Sequence, residues 1–531
     1  MMITVSFHEE DMNQITVLRQ TTRRSVLSLA VCAIACWSGT MDPACRAAET
    51  QRLCDVAAAS VRPQGAPAAG AVCFSSRWKH PASTKDPYDT FQVAAAFHAT
   101  DFVWVYSLDK QFVQRMKQSG AKVCLAVNSM VPDAVGTNTR RRGRLLDLDG
   151  NLLSAPWMRT WKENAWGCVN SPEYRASFVA HAAAAIDAGS DTLQMDDPAT
   201  NMAAVRWGGC FCTHCMAGFR TYLKRHATAE ELARAEVGDL EQFDYRAYLK
   251  TRDAPVGDAF AKYDGGALKR HFTAFQEASV RDFFIDTRAK IDAHAGRHVV
   301  FSSNNYAGRW TSPYDLFELG MAELPERDAK PAVLYQRFAD ARQRGKAQLY
   351  TLVPQAWDGT EVTLHRRIIA TCYAFGGHLI VPWDVYTGSG KPRYYGKPED
   401  YADLYKFVRD NARFFDGYED AAFLIPELRD ERYADDAPMS LKGDSDVTAV
   451  ARAVPGKADA PVAIHLVDWR ADPQPITLTL VTRRFTQHGP LGGQLLQPGK
   501  PALRLESHAD GTQTTFEIPR LSPWGLLVVS P

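Results

Sequence analysis

Two carboxylates stand side by side at Asp196-Asp197, where the short apolar run Thr192–Asp197 ends, and a third, Glu323, closes the run Leu319–Glu323. A pair of carboxyl groups, one protonated and one ionised, is what hydrolysis of a glycosidic bond requires. The separation is about 5–5.5 Å for retention of configuration and about 6.5–9.5 Å for inversion. Like charges on adjacent residues also help to keep one of them protonated. Other polar and aromatic residues close neighbouring apolar runs: Arg77 and Trp78, Tyr106, Asn128, Asn304, Trp357, then Trp383, Asp384 and Tyr386. Aromatic faces stack on sugar rings while amides and carboxylates bond hydroxyls, so this set predicts a carbohydrate-binding surface.

Those side chains need a scaffold that brings run ends together. Eight short apolar runs alternate with helical periodicity between about residues 66 and 420. They are Ala71–Ser75, Phe102–Ser107, Val123–Asn128, Thr192–Asp197, Val299–Asn304, Leu319–Glu323, Gln348–Val353 and His378–Trp383. Runs without strict polar alternation are expected of parallel strands covered on both faces. Helix candidates lie between them, among them Asp109–Lys117, Pro172–Ala188, Val333–Gln343 and Val362–Phe375, with Pro398–Phe415 after the last. Eight strand–helix units in order predict a (β/α)8 TIM barrel of the α/β class, whose active sites lie at the C-terminal strand ends. After Tyr418 the texture changes to closely spaced β runs between Pro, Gly and Asp, which predicts a small all-β sandwich. The expected layout is an export signal over residues 1–48, a barrel over 49–420 with a long fourth connection, and a sandwich over 421–531.

Cysteines mark a second chemistry. Cys210, Cys212 and Cys215 fall within six residues after the fourth run, and Cys168 ends the third connection. Four thiolates make a closed tetrahedral site, so a structural zinc is the metal expected, with no cofactor in the catalytic chemistry. His214 is an alternative ligand, and a disulfide or free thiols are the competing readings.

Cys168-Val169-Asn170-Ser171-Pro172-Glu173-Tyr174-Arg175, Gln194-Met195-Asp196-Asp197-Pro198 and Cys210-Phe211-Cys212-Thr213-His214-Cys215 occur in that order. Together with Phe219-Arg220-Thr221-Tyr222-Leu223, they resemble beta-galactosidases of glycoside hydrolase family 42 over about 60 residues. The resemblance implies a barrel with a zinc site. It does not carry the activity over, because that family's acid/base glutamate falls on Pro198 and its seventh-strand nucleophile has no counterpart. A different resemblance, to alpha-galactosidase-like barrels, places a nucleophile on strand four and an acid/base on strand six. It implies attack by Asp197 and protonation by Glu323.

Composition narrows the partners. Lys+Arg and Asp+Glu both number 61, which leaves no net charge to attract nucleic acid. Arg23-Arg24 ahead of the apolar stretch Val26–Trp37, followed by small residues at Ala47-Ala48, predicts a twin-arginine signal and a periplasmic or secreted destination. That stretch is shorter than the roughly 20 residues of a membrane span, and no later one is long enough. The expectation is an exported glycoside hydrolase acting on a poly- or oligosaccharide. Alternatives are an inactive carbohydrate-binding barrel, or a polysaccharide lyase or deacetylase.

Overall fold

The computed structural model describes residues 51–530, apart from residues 76, 78, 80–88, 131–141, 160–164, 354–360, 384–395, 434–435, 443–445 and 487–489. Eight parallel strands form one sheet in sequential order. They are β1 (Cys73–Phe74), β2 (Asp101–Val105), β3 (Lys122–Asn128), β4 (Thr192–Asp196), β5 (Phe301–Ser303), β6 (Leu319–Pro325), β7 (Ala347–Val353) and β8 (His378–Leu379). The Val381 N–H donates to the Cys73 carbonyl at 2.8 Å, joining the chain after β8 back to β1 and closing the ring.

Alternation along each strand separates two environments. Leu193 and Met195 of β4 point out into the large core shared with the helices, as do Leu125 and Val127 of β3 and Ala322 and Leu324 of β6. Inside the ring lies a small cluster that includes Cys73, Trp104, Cys124, Ala126, Met321, Leu349 and Ile380. Asn128, Asp196 and Glu323 share the inward parity and stand one step above that cluster, at the C-terminal strand ends.

Helices follow seven of the eight strands. Asp109 starts Lys110–Gln118 by accepting the Gln111 and Phe112 N–H groups, and Gly189, at φ 111°, ends Pro172–Ala188 in the left-handed conformation that favours glycine. The expected eighth unit is missing: the β5–β6 connection holds only a three-residue 3-10 turn, Tyr314–Leu316. Its sequence, broken by Gly308 and Pro313, is too short for a packed helix. The glycine reversing the chain before β8 is Gly376, at φ 78°.

The fourth connection folds as a helical excursion whose core of Trp207, Phe211, Phe219, Tyr245 and Phe272, among others, is joined by Trp166 of the third connection. One of its helices, Thr213–His226, was not anticipated: it begins within the cysteine segment, with Cys212 at its N-cap. The excursion ends in the 30-residue helix Gly266–Ala295.

Ten further strands follow: β9 (Glu419–Leu424), β10 (Met439–Lys442), β11 (Val447–Ala453), β12 (Val462–Asp468), β13 (Ile476–Val481), β14 (Gly492–Leu496), β15 (Leu503–Leu505), β16 (Ser507–Asp510), β17 (Gln513–Ile518) and β18 (Trp524–Ser530). They make two antiparallel sheets, ordered β10-β13-β17-β16 and β15-β14-β18-β12-β11-β9. Ile476, Leu478 and Phe516 from the first meet Ile464, Leu466 and Leu527 from the second in one core. The other face of the six-stranded sheet presents Val450, Ala463, Val467 and Trp524 to the barrel's helical core. This explains why β11 and β12 are buried along their whole length.

Candidate active site at the barrel mouth

Asp196 is the last residue of β4 and is 6% exposed. Its register partner on β3 is Asn128, whose side-chain amide donates to Asp196 Oδ2 at 3.1 Å. The same oxygen accepts the Tyr106 hydroxyl, which in turn accepts Trp104 Nε1–H at 2.9 Å. The second oxygen, Oδ1, is buried and has no partner among the described residues. A buried acceptor without a donor is costly, and such groups concentrate where a reacting atom is to be received.

Asp197 follows in a left-handed conformation, φ 53°, while Ser129 Oγ donates to its carbonyl at 2.7 Å and to that of Asp196 at 3.2 Å. Burial holds the Asp197 carboxyl protonated well above the usual range. Asp196 and Glu323 add to this by repulsion, and Arg77 opposes it. Glu323 faces the pair from β6 with 46% of its side chain exposed, and its Oε1 lies 3.9 Å from Arg77 Nη2. The Arg77 guanidinium, 3% exposed, lies over the Trp104 ring at 3.5 Å from the centroid.

Four residues around this opening share one backbone signature: Arg77, Trp104, Asp197 and Tyr306 have φ of 60°, 55°, 53° and 50°. A non-glycine residue there is strained, by about 1–3 kcal/mol each where the conformation is sparsely populated. At Trp104 it accompanies a register shift in the β2–β3 pairing, which turns both Val103 and Trp104 towards the barrel interior.

Of the anticipated sugar-binding residues, Arg77, Tyr106 and Asn128 join the carboxylates. Asn304 lies one residue past β5, while Asn305 beside it is locked in a buried amide pair with Gln348, at 2.9 and 3.1 Å. Trp383 needs correction: at 3% exposure it belongs to the core between sheet and helices, and is not a ring presented at the mouth. Trp78, Trp357, Asp384 and Tyr386 lie outside the described residues. Tyr306, which follows Asn304-Asn305 at the fifth strand end, meets Tyr314, a residue sequence reasoning did not single out, edge to face at 6.0 Å. Tyr306 is about half exposed, yet crowding around its phenol and the nearby Asp197 charge push that group up. Tyr306 was visible as the residue after Asn304-Asn305, whereas Tyr314, in the helix-poor connection, carries no signal in the sequence.

The four cysteines do converge. All are buried free thiols, with their sulfur atoms within 4.8 Å of one another. Cys168 lies 3.7 Å from Cys212 and 3.4 Å from Cys215. Four sulfurs at about 2.3 Å from one tetrahedral ion would stand about 3.8 Å apart, so the cluster fits a metal. The surrounding donors fit too. Asn201 Nδ2 reaches Cys168 and Cys215, Asn170 Nδ2 reaches Cys215, and the Leu146 N–H reaches Cys210, at 3.3–3.5 Å. Amide hydrogens aimed at sulfur stabilise thiolates and orient ligands. Hydrogen bonds from Cys168, Cys210 and Cys215 hold Cys212 far below the usual thiol range, whereas burial pushes Cys210 and Cys215 up. His214 is no ligand here: its ring is half exposed and faces Glu173 at 3.7 Å.

The fold is a (β/α)8 barrel carrying a C-terminal all-β region, with carboxylates gathered at the C-terminal ends of its strands. No family model matches the chain, so the likeness to family 42 rests on the residues that carry it. Two alpha-agarases, from Alteromonas agarilytica and Thalassotalea agarivorans, are 22% identical over 280 residues and 24% identical over 275. Each match covers 48% of this chain and 19% of the relative, so the chain matches about a fifth of their length. Among solved structures, alpha-L-fucosidase isoenzyme 2 from Paenibacillus thiaminolyticus is similar with a TM-score of 0.50 at 10% identity, over 83% of this chain and 95% of that one.

Proposed function

We propose that this protein is a glycoside hydrolase acting on a polysaccharide, with agarose the first substrate to test because the relatives matched in sequence are alpha-agarases. The observation that carries the reading is the meeting of Asp196, Asp197 and Glu323 at the ends of β4 and β6. One buried oxygen of Asp196 has no partner among the described residues, and the Asp197 carboxyl is held towards its protonated form.

Environments that treat neighbouring carboxyl groups differently assign the acid and the base. Asp196 accepts from Tyr106 and Asn128 through one oxygen and offers the other, Oδ1, to the anomeric carbon. Asp197 delivers its proton to the departing glycosidic oxygen as that bond breaks. Once ionised, it takes a proton from the water that completes hydrolysis. This exchanges the role implied by the alpha-galactosidase likeness, in which Asp197 attacks. Glu323, with Arg77 beside it, binds sugar hydroxyls opposite, and the Glu323 charge raises the proton affinity of Asp197. The four cysteines hold a structural zinc remote from the chemistry, and the twin-arginine segment directs the folded, metal-loaded protein out of the cytoplasm.

Digestion of agarose and a glycan panel, with products read by mass spectrometry, tests the reading on wild type, Asp196→Asn, Asp197→Asn and Glu323→Gln. Saturated oligosaccharides from wild type, lost in both aspartate variants and reduced in Glu323→Gln, are expected. Loss in Glu323→Gln as complete as in Asp196→Asn would move the acid to Glu323. Unsaturated products would identify a lyase, and binding without product across the panel would overturn catalysis.

A further inference from the structure

At the opposite, N-terminal end of the barrel strands, the six-stranded sheet meets the barrel around a cavity of about 350 Å³. Four separate stretches of chain bring charge to it: Arg62 ahead of β1, Arg342 on the helix Pro331–Gln343, Asp416 and Glu419 at the start of the all-β region, and Arg452 on β11. Most of these groups are already engaged. Arg342 donates to the Phe375 carbonyl at 2.6 Å and to Asp420 at 3.3 Å. Asp416 accepts the Gly70 N–H at 2.8 Å, and Glu419 accepts the Ser60 hydroxyl at 2.6 Å.

Two arginines are not fully engaged. Arg452 is 4% exposed and lies on the face of β11 turned to the barrel. It donates through Nη2 to the Tyr418 carbonyl, but Nε and Nη1 have no partner among the described residues. Arg62 Nε is buried without a partner as well. The backbone makes room for the guanidinium: Gly376, at φ 78°, lies so close that a Cβ there would stand 2.2 Å from Arg452 Nη1. A buried cation with idle donors is costly unless a counter-charge meets it. The strain is visible in Arg452, which burial, followed by the charge of Arg342, holds down to about 10.

We propose that this cavity is a binding site for a small oxyanion (the shared chemistry of sulfate, phosphate and carboxylate), gripped by Arg452 and Arg62. Planar guanidinium forks match such oxygens in pairs. The engaged carboxylates of Asp416 and Glu419 in the same wall restrict the ligand to low charge. Because Arg452 belongs to the sheet and Arg62 to the barrel side, a bound anion ties the two together and stabilises the fold by mass action.

Isothermal titration calorimetry on the folded chain tests this, with sodium sulfate, phosphate and acetate at constant ionic strength in chloride. One saturable site for at least one oxyanion, with a rise in melting temperature, is expected. Arg62→Gln, at the less buried position, should weaken binding about tenfold and keep the fold, and Arg452→Gln should abolish it. The proposal fails if none of the three binds wild type saturably, or if both variants bind as wild type does. Displacement by chloride at equal concentration overturns the oxyanion class. The readout is binding, so its failure leaves the hydrolase reading untouched.

Discussion

The barrel mouth and the cysteine pocket are built from neighbouring pieces of chain, yet they treat their polar atoms in opposite ways. Around Cys168, Cys210, Cys212 and Cys215, sulfurs are met by amide hydrogens from Asn170, Asn201, Leu146 and Cys215, and the set closes on itself. At the mouth, Asp196 has a buried oxygen with no partner among the described residues, burial and neighbouring charge hold Asp197 towards its protonated form, and four residues hold a left-handed backbone. A closed set is the mark of a part that stabilises. An unpaired and strained one is consistent with the substrate site proposed above.

The contrast can be broken by substitution. Asp196→Asn should lower turnover by at least about 10³-fold with little change in melting temperature, read by reducing-sugar release beside thermal unfolding. Cys168→Ser should do the reverse. Metal analysis should fall from near one zinc per chain, and stability should drop by about 2–5 kcal/mol, with catalysis per folded molecule nearly unchanged. A metal-free wild type that melts like the loaded protein would remove zinc from that role. Tyr106→Phe takes away one donor to Asp196 and should slow turnover about tenfold, since a hydrogen bond to a charged group contributes about 1.5–3 kcal/mol.

The smallest effect is on stability against pH. The folded-state proton affinity of Asp197 is raised, so the folded protein binds more protons than the unfolded chain above the ordinary carboxylate value near 3.9. Stability from this group is therefore fully present below that value and is lost as pH rises through the raised one. Asp197→Asn should be more stable than wild type at high pH, and the gap should close towards acid pH in a melting series. A gap that widens towards acid would reverse the assignment.

Much of the scaffold was legible because parallel strands need continuous apolar runs, and those runs carry their polar residues at the ends. Alternation alone left open which of Asp196 and Asp197 faces inward; in the fold Leu193 and Met195 point outward into the helical core, which gives Asp196 the inward parity. The bond from Tyr106 to Asp196 spans 90 residues and depends on a register shift in β2, which no local pattern encodes. The left-handed residues were hidden for a related reason: Arg77, Trp104, Asp197 and Tyr306 adopt by tertiary constraint what sequence reading expects of glycine.

The closing seam of the barrel bears on how the protein is made. Tyr373 donates to the Ala71 carbonyl at 2.9 Å across 302 residues, His378 Nε2 bonds the Ala68 carbonyl at 2.8 Å across 310, and Arg409 donates to the Gly70 carbonyl at 2.6 Å across 339. The segment leading into β1 therefore waits on the ribosome until nearly the whole barrel has been synthesised. Loop-closure entropy makes this pairing a late event in folding. During translation the first strand presents an unpaired edge for longer than any other, and a chaperone that shields the nascent chain would act there first.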